Sequence, residues 1–301
     1  MRMRVFILIF VTALLCSCSG KLEVPLLVSD NEGNVSQIIW DTQNNDLLDQ
    51  GNDLFQLDDA STLKYANWDG SNRLVLYNSK LENSDMDTDF IITQMSNNVF
   101  YFEDTTLKHI EKGKYQLDIN STSYDIEINT GNLEIDGNKV DISKLAISSY
   151  MIKDEQAFLL FNTYSFEKDS IILLLAVVDF VDNSSNMSII DNLPPLSPSN
   201  PPAGNNVITL NEGFIVFNSY EVSLIDIDTF NSTSIITTDK ISFIEDKQAI
   251  VESIGYHSNI LLIKAYQLDN LSDDKIYKLY AVKDSKVLSE IFVAEDICLP
   301  H

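Results

Sequence analysis

Carboxylates are the reactive groups this chain has in quantity, with 45 Asp and Glu against 20 Lys and Arg. Three of them alternate in Asp85-Met86-Asp87-Thr88-Asp89, a spacing that sets oxygens side by side as calcium-binding loops do. An EF-hand loop also needs glycine at its sixth position and a bidentate glutamate at its twelfth. Phe90 and Ser96 stand there instead, so Asp85, Asp87 and Asp89 form at most a looser Ca²⁺ clip completed by distant oxygens. The simpler reading is a polar turn, in which Asp and Asn bond their own backbone. Asp30-Asn31-Glu32-Gly33-Asn34 is a second acidic loop with the same two readings. Two carboxylates about 5–9.5 Å apart can cleave a glycosidic bond, but so many acids permit such a pair without selecting one.

The other reactive types are scarce. Histidine occurs only as His109, His257 and His301, with none of the H-x-x-H spacings that hold zinc. There is no G-x-S-x-G elbow, no G-x-x-x-x-G-K-[ST] phosphate loop and no G-x-G-x-x-G turn. His257 and Ser258 are neighbours, and neighbours on a strand point to opposite faces, which argues against a dyad. Trp68-Asp69-Gly70 could present its indole to a sugar or a partner at a turn, although core packing is the default for an indole. The reading is therefore a chain with no catalytic residue, no cofactor and no resident metal. Its net charge of −25 repels phosphates, whose capture rests on Lys and Arg, so a nucleic-acid partner is excluded as well.

The sharpest signal lies at the start. Arg2 and Arg4 precede an uncharged apolar run from Val5 to Leu15, shorter than the roughly 20 residues that span a bilayer. That matches the apolar region of a secretory signal peptide. Leu15-Cys16-Ser17-Cys18 then resembles the lipobox of bacterial lipoproteins, with small Ser17 before the cysteine and aliphatic Leu15 three before it. Cys16 fits poorly, because bulky Leu15 precedes it. The resemblance implies cleavage after Ser17, diacylglycerol on the Cys18 sulfur and attachment to a bacterial membrane through that lipid. Multiple acyl chains matter because one chain alone binds only marginally. The expected location is the outer membrane or its periplasmic face in a Gram-negative envelope, or the outer surface in a Gram-positive one. Cys298 would then be the one remaining thiol, expected as a small buried apolar residue with no disulfide to make.

These groups must be carried by strands. Tyr115, Leu117 and Ile119 alternate with polar residues, and the alternation resumes at Tyr124, Ile126 and Ile128, then at Leu133 and Ile135. Asp136-Gly137 supplies the positive φ of a tight hairpin before Val140 and Ile142, so residues 115–142 read as an antiparallel meander. Similar runs recur at 73–77, 90–93, 99–102, 157–161, 214–217, 222–227, 260–266, 276–282 and 287–293. Residues 171–181 are apolar throughout except Asp179 and read as a strand buried on both faces. Residues 45–56 and 142–151 are the two candidates for short helices.

Four units of three or four strands follow, at 65–110, 145–193, 207–241 and 243–297. That spacing suits an all-β, antiparallel β-propeller of about five to seven blades, whose closure removes exposed edges. Two β-sandwich or barrel domains are the alternative. The expected organisation is a signal peptide at 1–17, an anchor and tether at 18–35, and a β-rich domain at 36–301. Five of the seven prolines cluster in a Pro-rich loop or boundary at 191–206. The functional expectation is a membrane-anchored, non-catalytic binding or scaffold module for a protein or glycan partner in the cell envelope. A carboxylate-based glycan hydrolase and a purely structural surface lipoprotein are the alternatives.

Overall fold

The structure, a computed structural model, describes residues 22–30, 32–57, 63, 67–68, 73–77, 91–95, 99–102, 105–111, 114–119, 122–182, 184–190, 192–193, 196, 207–269, 272, 274–293 and 297–300. The protein is all-β, with strands joined mostly by tight hairpins. Sheet A contains β1 (Glu23–Ser29), β2 (Asn34–Asp41), β3 (Asp46–Gln56) and β25 (Ile297–Cys298), in the order β25-β1-β2-β3. Sheet B holds β4 (Asn67–Trp68), β5 (Arg73–Tyr77) and β6 (Ile91–Met95). Sheet C holds β7 (Val99–Phe102), β8 (Thr105–Glu111), β9 (Lys114–Ile119) and β10 (Thr122–Glu127). A separate hairpin pairs β11 (Glu134–Ile135) with β12 (Asn138–Lys139).

Three further sheets take their strands in simple chain order. Sheet D runs β13 (Ala146–Lys153), β14 (Gln156–Ser165), β15 (Ser170–Asp179) and β16 (Ser184–Ile189). Sheet E runs β17 (Val207–Leu210), β18 (Gly213–Asn218), β19 (Glu221–Asp226) and β20 (Ser232–Thr237). Sheet F runs β21 (Ile250–His257), β22 (Ile260–Leu268), β23 (Lys275–Lys283) and β24 (Lys286–Val293). Among the named strand pairs all are antiparallel except β5 with β6, which run parallel.

Buried clusters lie between sheets and bind them face to face. Leu27, Val35 and Phe55 of sheet A meet Trp68 and Leu74 of sheet B. Tyr115, Leu117 and Ile126 of sheet C meet Tyr150, Leu159 and Phe161 of sheet D. The other face of sheet D, with Phe158, Leu160 and Leu175, packs on Phe214, Val216 and Ile225 of sheet E. Sheet E then presents Ile215, Phe217 and Val222 to Ile254, Leu261 and Ile263 of sheet F. Finally Ile260, Leu262 and Leu279 of sheet F pack on Val24, Leu26 and Trp40 of sheet A. Strands buried on both faces need near-continuous apolar sequence, and β15 supplies it in Ser170–Asp179 (SIILLLAVVD).

The first and last described strands meet in sheet A. Leu27 pairs with Cys298 and Val28 with Ile297. The final segment also reaches two other sheets. Tyr256 N–H of β21 donates to the Pro300 carbonyl at 2.7 Å, and Trp68 of β4 forms a parallel bridge with Pro300. A Cβ on Gly255 would lie 2.5 Å from the Leu299 Cβ and 2.6 Å from the Pro300 oxygen. Only a residue without a side chain leaves room for the end of the chain there.

Several expectations need correction. The tether does not run to residue 35, because β1 begins at Glu23 and Val24, Leu26 and Leu27 are fully buried. Residues 46–56 are strand β3 rather than helix. Residues 142–144 form only one 3-10 turn before β13 begins at Ala146. The expected unit at 65–110 is divided, since β7 and β8 belong with β9 and β10 in sheet C. Within the Pro-rich stretch, Leu196 is buried and its carbonyl accepts from Ile171 N–H at 3.0 Å, so that residue is part of the core.

Candidate functional site

The β11–β12 hairpin stands outside the sheets, at the junction of sheets C and D, and is fixed at both ends. Its tip is Asp136-Gly137, with φ of 52° and 68°, the left-handed pair that a two-residue hairpin turn requires. The Asp136 carboxylate accepts from Ser165 Oγ at 2.5 Å and from Phe166 N–H at 2.7 Å, both in the β14–β15 turn. These bonds, the Ser165 hydroxyl above all, hold its carboxyl below the usual carboxylate range. At the base, Val140 N–H donates to the Leu133 carbonyl at 2.8 Å. Asn129 N–H donates to Ser185 Oγ of β16, also at 2.8 Å. Leu133, Ile135 and Val140 pack onto the cluster between sheets C and D, which gives this small element its apolar footing.

Between the hairpin base, the end of β10 and the start of β16 lies an open cleft of about 880 Å³. Glu127, Asn129, Thr130, Lys139, Asp141, Ser184 and Ser185 supply its polar wall, while Ile128, Val140 and Ile142 supply the apolar part. That size falls in the range of small-molecule and cofactor sites. Beyond the hairpin tip, Phe166 is 84% exposed. Its ring meets Tyr164 edge to face, centroids 5.0 Å apart, and the Tyr164 hydroxyl donates to Asp169. An exposed aromatic ring on a braced turn is the kind of feature that binding surfaces use.

A second polar group lies under the closure of sheets F and A. Lys264 of β22 is 1% exposed and its Nζ lies 2.8 Å from Glu252 Oε2. The same ammonium lies 4.7 Å from the Tyr277 ring centroid, and the Tyr277 hydroxyl donates to Glu252 Oε1 at 3.2 Å. Glu252 Oε2 is held by this ion pair rather than by a hydrogen bond, and the set braces the junction.

The residues singled out by sequence fall in different places. Cys18 with its lipobox, and Asp85, Asp87 and Asp89, lie outside the described residues. The second acidic loop is a polar turn. Asp30 accepts from Glu32 N–H at 2.8 Å and from Asn34 N–H and Nδ2 at 2.9 Å, and those bonds, Asn34's side chain first, hold its carboxyl below the usual carboxylate range. Trp68 is a core residue. His257 ends β21 and Ser258 stands in the turn at φ 51°. Cys298 is buried, and burial pushes its thiol up to about 12. Among the described residues no group of three or more His, Cys, Asp or Glu is placed to hold a metal, and no helix is long and apolar enough to cross a membrane. The cleft was not anticipated. Its nearest sequence signal was the Asp136-Gly137 turn, which fixes the hairpin but does not reveal that it leaves the sheet.

No family model matches this chain, and no curated protein does. Among solved structures, the Pyrococcus horikoshii acylaminoacyl peptidase aligns at 12% identity and a TM-score of 0.31, covering 50% of this chain and 25% of that one. An acylaminoacyl peptidase in complex with Z-Gly-Gly-Phe-chloromethyl ketone aligns at 12% identity and 0.32, covering 51% and 26%. A putative 6-phosphogluconolactonase from Bacteroides fragilis aligns at 8% identity and 0.33, covering 90% and 98%. The chain thus spans about a quarter of the length of the two peptidases.

Proposed function

We propose that this chain is an exported bacterial lipoprotein, anchored by lipid on Cys18, whose β-propeller-like body binds a protein or glycan partner in the cell envelope without catalysis. One observation carries the propeller reading. The six sheets of three or four strands follow one another through buried clusters, A to B and then C to D to E to F to A, and β25 returns to β1. That succession is what successive blades of a ring require, and the pairing of β1 with β25 supports closure of the series where sheet F meets sheet A. The anchor rests on Leu15-Cys16-Ser17-Cys18 and the basic and apolar segments before it. The binding role rests on the cleft at the hairpin base and on the bracing of the hairpin through Asp136 at its tip.

Metabolic labelling with a palmitate analogue tests the anchor. Label should enter the wild type and the Cys16→Ala variant and be lost in Cys18→Ala, which should accumulate as unprocessed precursor. Label persisting in Cys18→Ala would end the assignment. One observation favours a second reading, that of a carboxylate glycan hydrolase: Glu127 and Asp141 line the same cleft. Release of reducing ends from an envelope glycan, abolished by Glu127→Gln, would establish that reading in place of the first.

A further inference from the structure

We infer that the cleft beneath the β11–β12 hairpin is a binding site for an uncharged oligosaccharide. This rests on the binding-module reading above and names the ligand chemistry of that site. The argument lies in the mixture of groups that the cleft presents. Glu127 and Asp141 offer acceptors, Lys139 offers donors, and Asn129, Thr130, Ser184 and Ser185 offer amide and hydroxyl groups. A hydroxyl both donates and accepts, an amide carries one group of each kind, an ammonium only donates and an ionised carboxylate only accepts. A polycation would use the two carboxylates and be repelled by Lys139. A polyanion would use Lys139 and be repelled by Glu127 and Asp141, within a chain of net charge −25. A ring of uncharged hydroxyls can pair with every group in the wall, since each hydroxyl can turn to donate or accept. Ile128 and Ile142 belong to the core beneath the cleft, so only half-buried Val140 adds a small apolar contact to this polar wall.

Position supports the same conclusion. The β11–β12 pair is the only two-stranded sheet among the described residues, and it adds a wall at the C–D junction alone. Its tip is tied to sheet D by Asp136, and its base to β16 through Asn129 and Ser185. The wall is therefore set before a ligand arrives, which lowers the ordering cost that weakens binding to loose loops.

The test uses the full lipidated protein in detergent, titrated calorimetrically with N-acetylchitohexaose, maltohexaose and tetralysine. At least one of the two oligosaccharides should bind. Its Kd should change less than about twofold between 50 and 500 mM salt, because no charge pair is there to be screened. Thr130→Trp, which fills the cleft from the hairpin side, should weaken that binding at least tenfold. Ser184→Trp does the same from the opposite wall, so a folding defect in one variant does not decide the matter, and melting temperatures are measured for both. Two outcomes would overturn the inference: neither oligosaccharide binding, or binding that both tryptophans leave intact. If tetralysine alone binds, weakens with salt and is blocked by Thr130→Trp, the binding-module reading stands and the oligosaccharide falls.

Discussion

Sheets D and F are built to one plan and differ where they meet the next sheet. Each carries a β-bulge in its first strand, between Ile147 and Ser149 in β13 and between Val251 and Ser253 in β21. In each, the bulged residue turns toward the following sheet and holds a buried polar partner in the second strand. In sheet D that pair is neutral, with Asn162 Nδ2 donating to Ser148 Oγ at 2.9 Å. In sheet F it is Glu252 with Lys264, charged and 2.8 Å apart. Three residues further on, Met151 fills the junction with sheet E, while Gly255 opens the junction with sheet A to Leu299 and Pro300. Sheet D meets a neighbour made from the next stretch of chain. Sheet F meets one assembled from both ends. A buried ion pair costs solvation and repays it only with good geometry, and its known use is to select one arrangement over others. Here it marks the junction that has to choose its partner correctly.

The largest expected effect breaks the charged pair. Glu252→Ala removes the carboxylate that faces the buried Lys264 ammonium and should cost about 3–5 kcal/mol in urea unfolding. Lys264→Met should cost clearly less, because it leaves no buried charge and Glu252 keeps some exposure. Equal losses in the two variants would mean that the pair stabilises simply by attraction. Next comes the glycine. Gly255→Ala forces Leu299 and Pro300 aside and should cost about 1–3 kcal/mol as overpacking. Alkylation of Cys298 sharpens this, because its thiol is buried and held protonated in the wild type. The reaction should quicken severalfold in Gly255→Ala and stay unchanged in Met151→Leu. Ser148→Ala, the same cut made in sheet D, should cost about 1 kcal/mol, the usual net worth of a neutral hydrogen bond.

The smallest effect is one of pH. His257 ends β21 where Lys153 ends β13, and burial holds the His257 imidazole below its usual value of 6.5. The unfolded chain therefore takes up the proton first. The histidine's contribution is complete above about pH 6.5 and is lost as pH falls through the depressed folded value. Melting temperature should drop between pH 7 and 5, and His257→Gln should reduce that drop. An unchanged pH profile in the variant would place the acid sensitivity elsewhere.

Strands were legible where alternation was unbroken. Arg73–Tyr77 and Val99–Phe102 were read with the boundaries the structure gives, and β18, β22, β23 and β24 nearly so. Bulges explain the two false helices. In 142–151 the bulge at Ser148 inserts a residue, so Ile147, Tyr150 and Met151 fall at helical spacing although they lie on a strand. In 45–56 the β2–β3 register shifts twice, with the same result for Leu47, Leu48 and Phe55. A repeat signal did exist and was diluted. Asp41, Asp179 and Asp226 each end the third strand of their sheet, and each carboxylate caps backbone N–H groups two and three residues on. In a chain so rich in Asp and Asn, three such turns do not stand out. The pairing of β1 with β25 was beyond any local pattern, because a two-residue strand of Ile and Cys has no periodicity to read. The cleft was illegible for a related reason: its walls come from three elements separated in sequence.

The return of Ile297–Pro300 to β1 also sets a timetable. Leu27 and Val28 are made about 270 residues before their partners Cys298 and Ile297. At about 5–20 residues per second of synthesis, the first sheet waits on the order of tens of seconds for its missing strand. Until then Val24, Leu26 and Leu27 have no complete face to enter, and contacts spanning nearly the whole chain form slowly even afterwards. Sheet A therefore stays incomplete until Ile297 and Cys298 have emerged. Passage through a membrane in the unfolded state, which the proposed export route demands, needs that same delay.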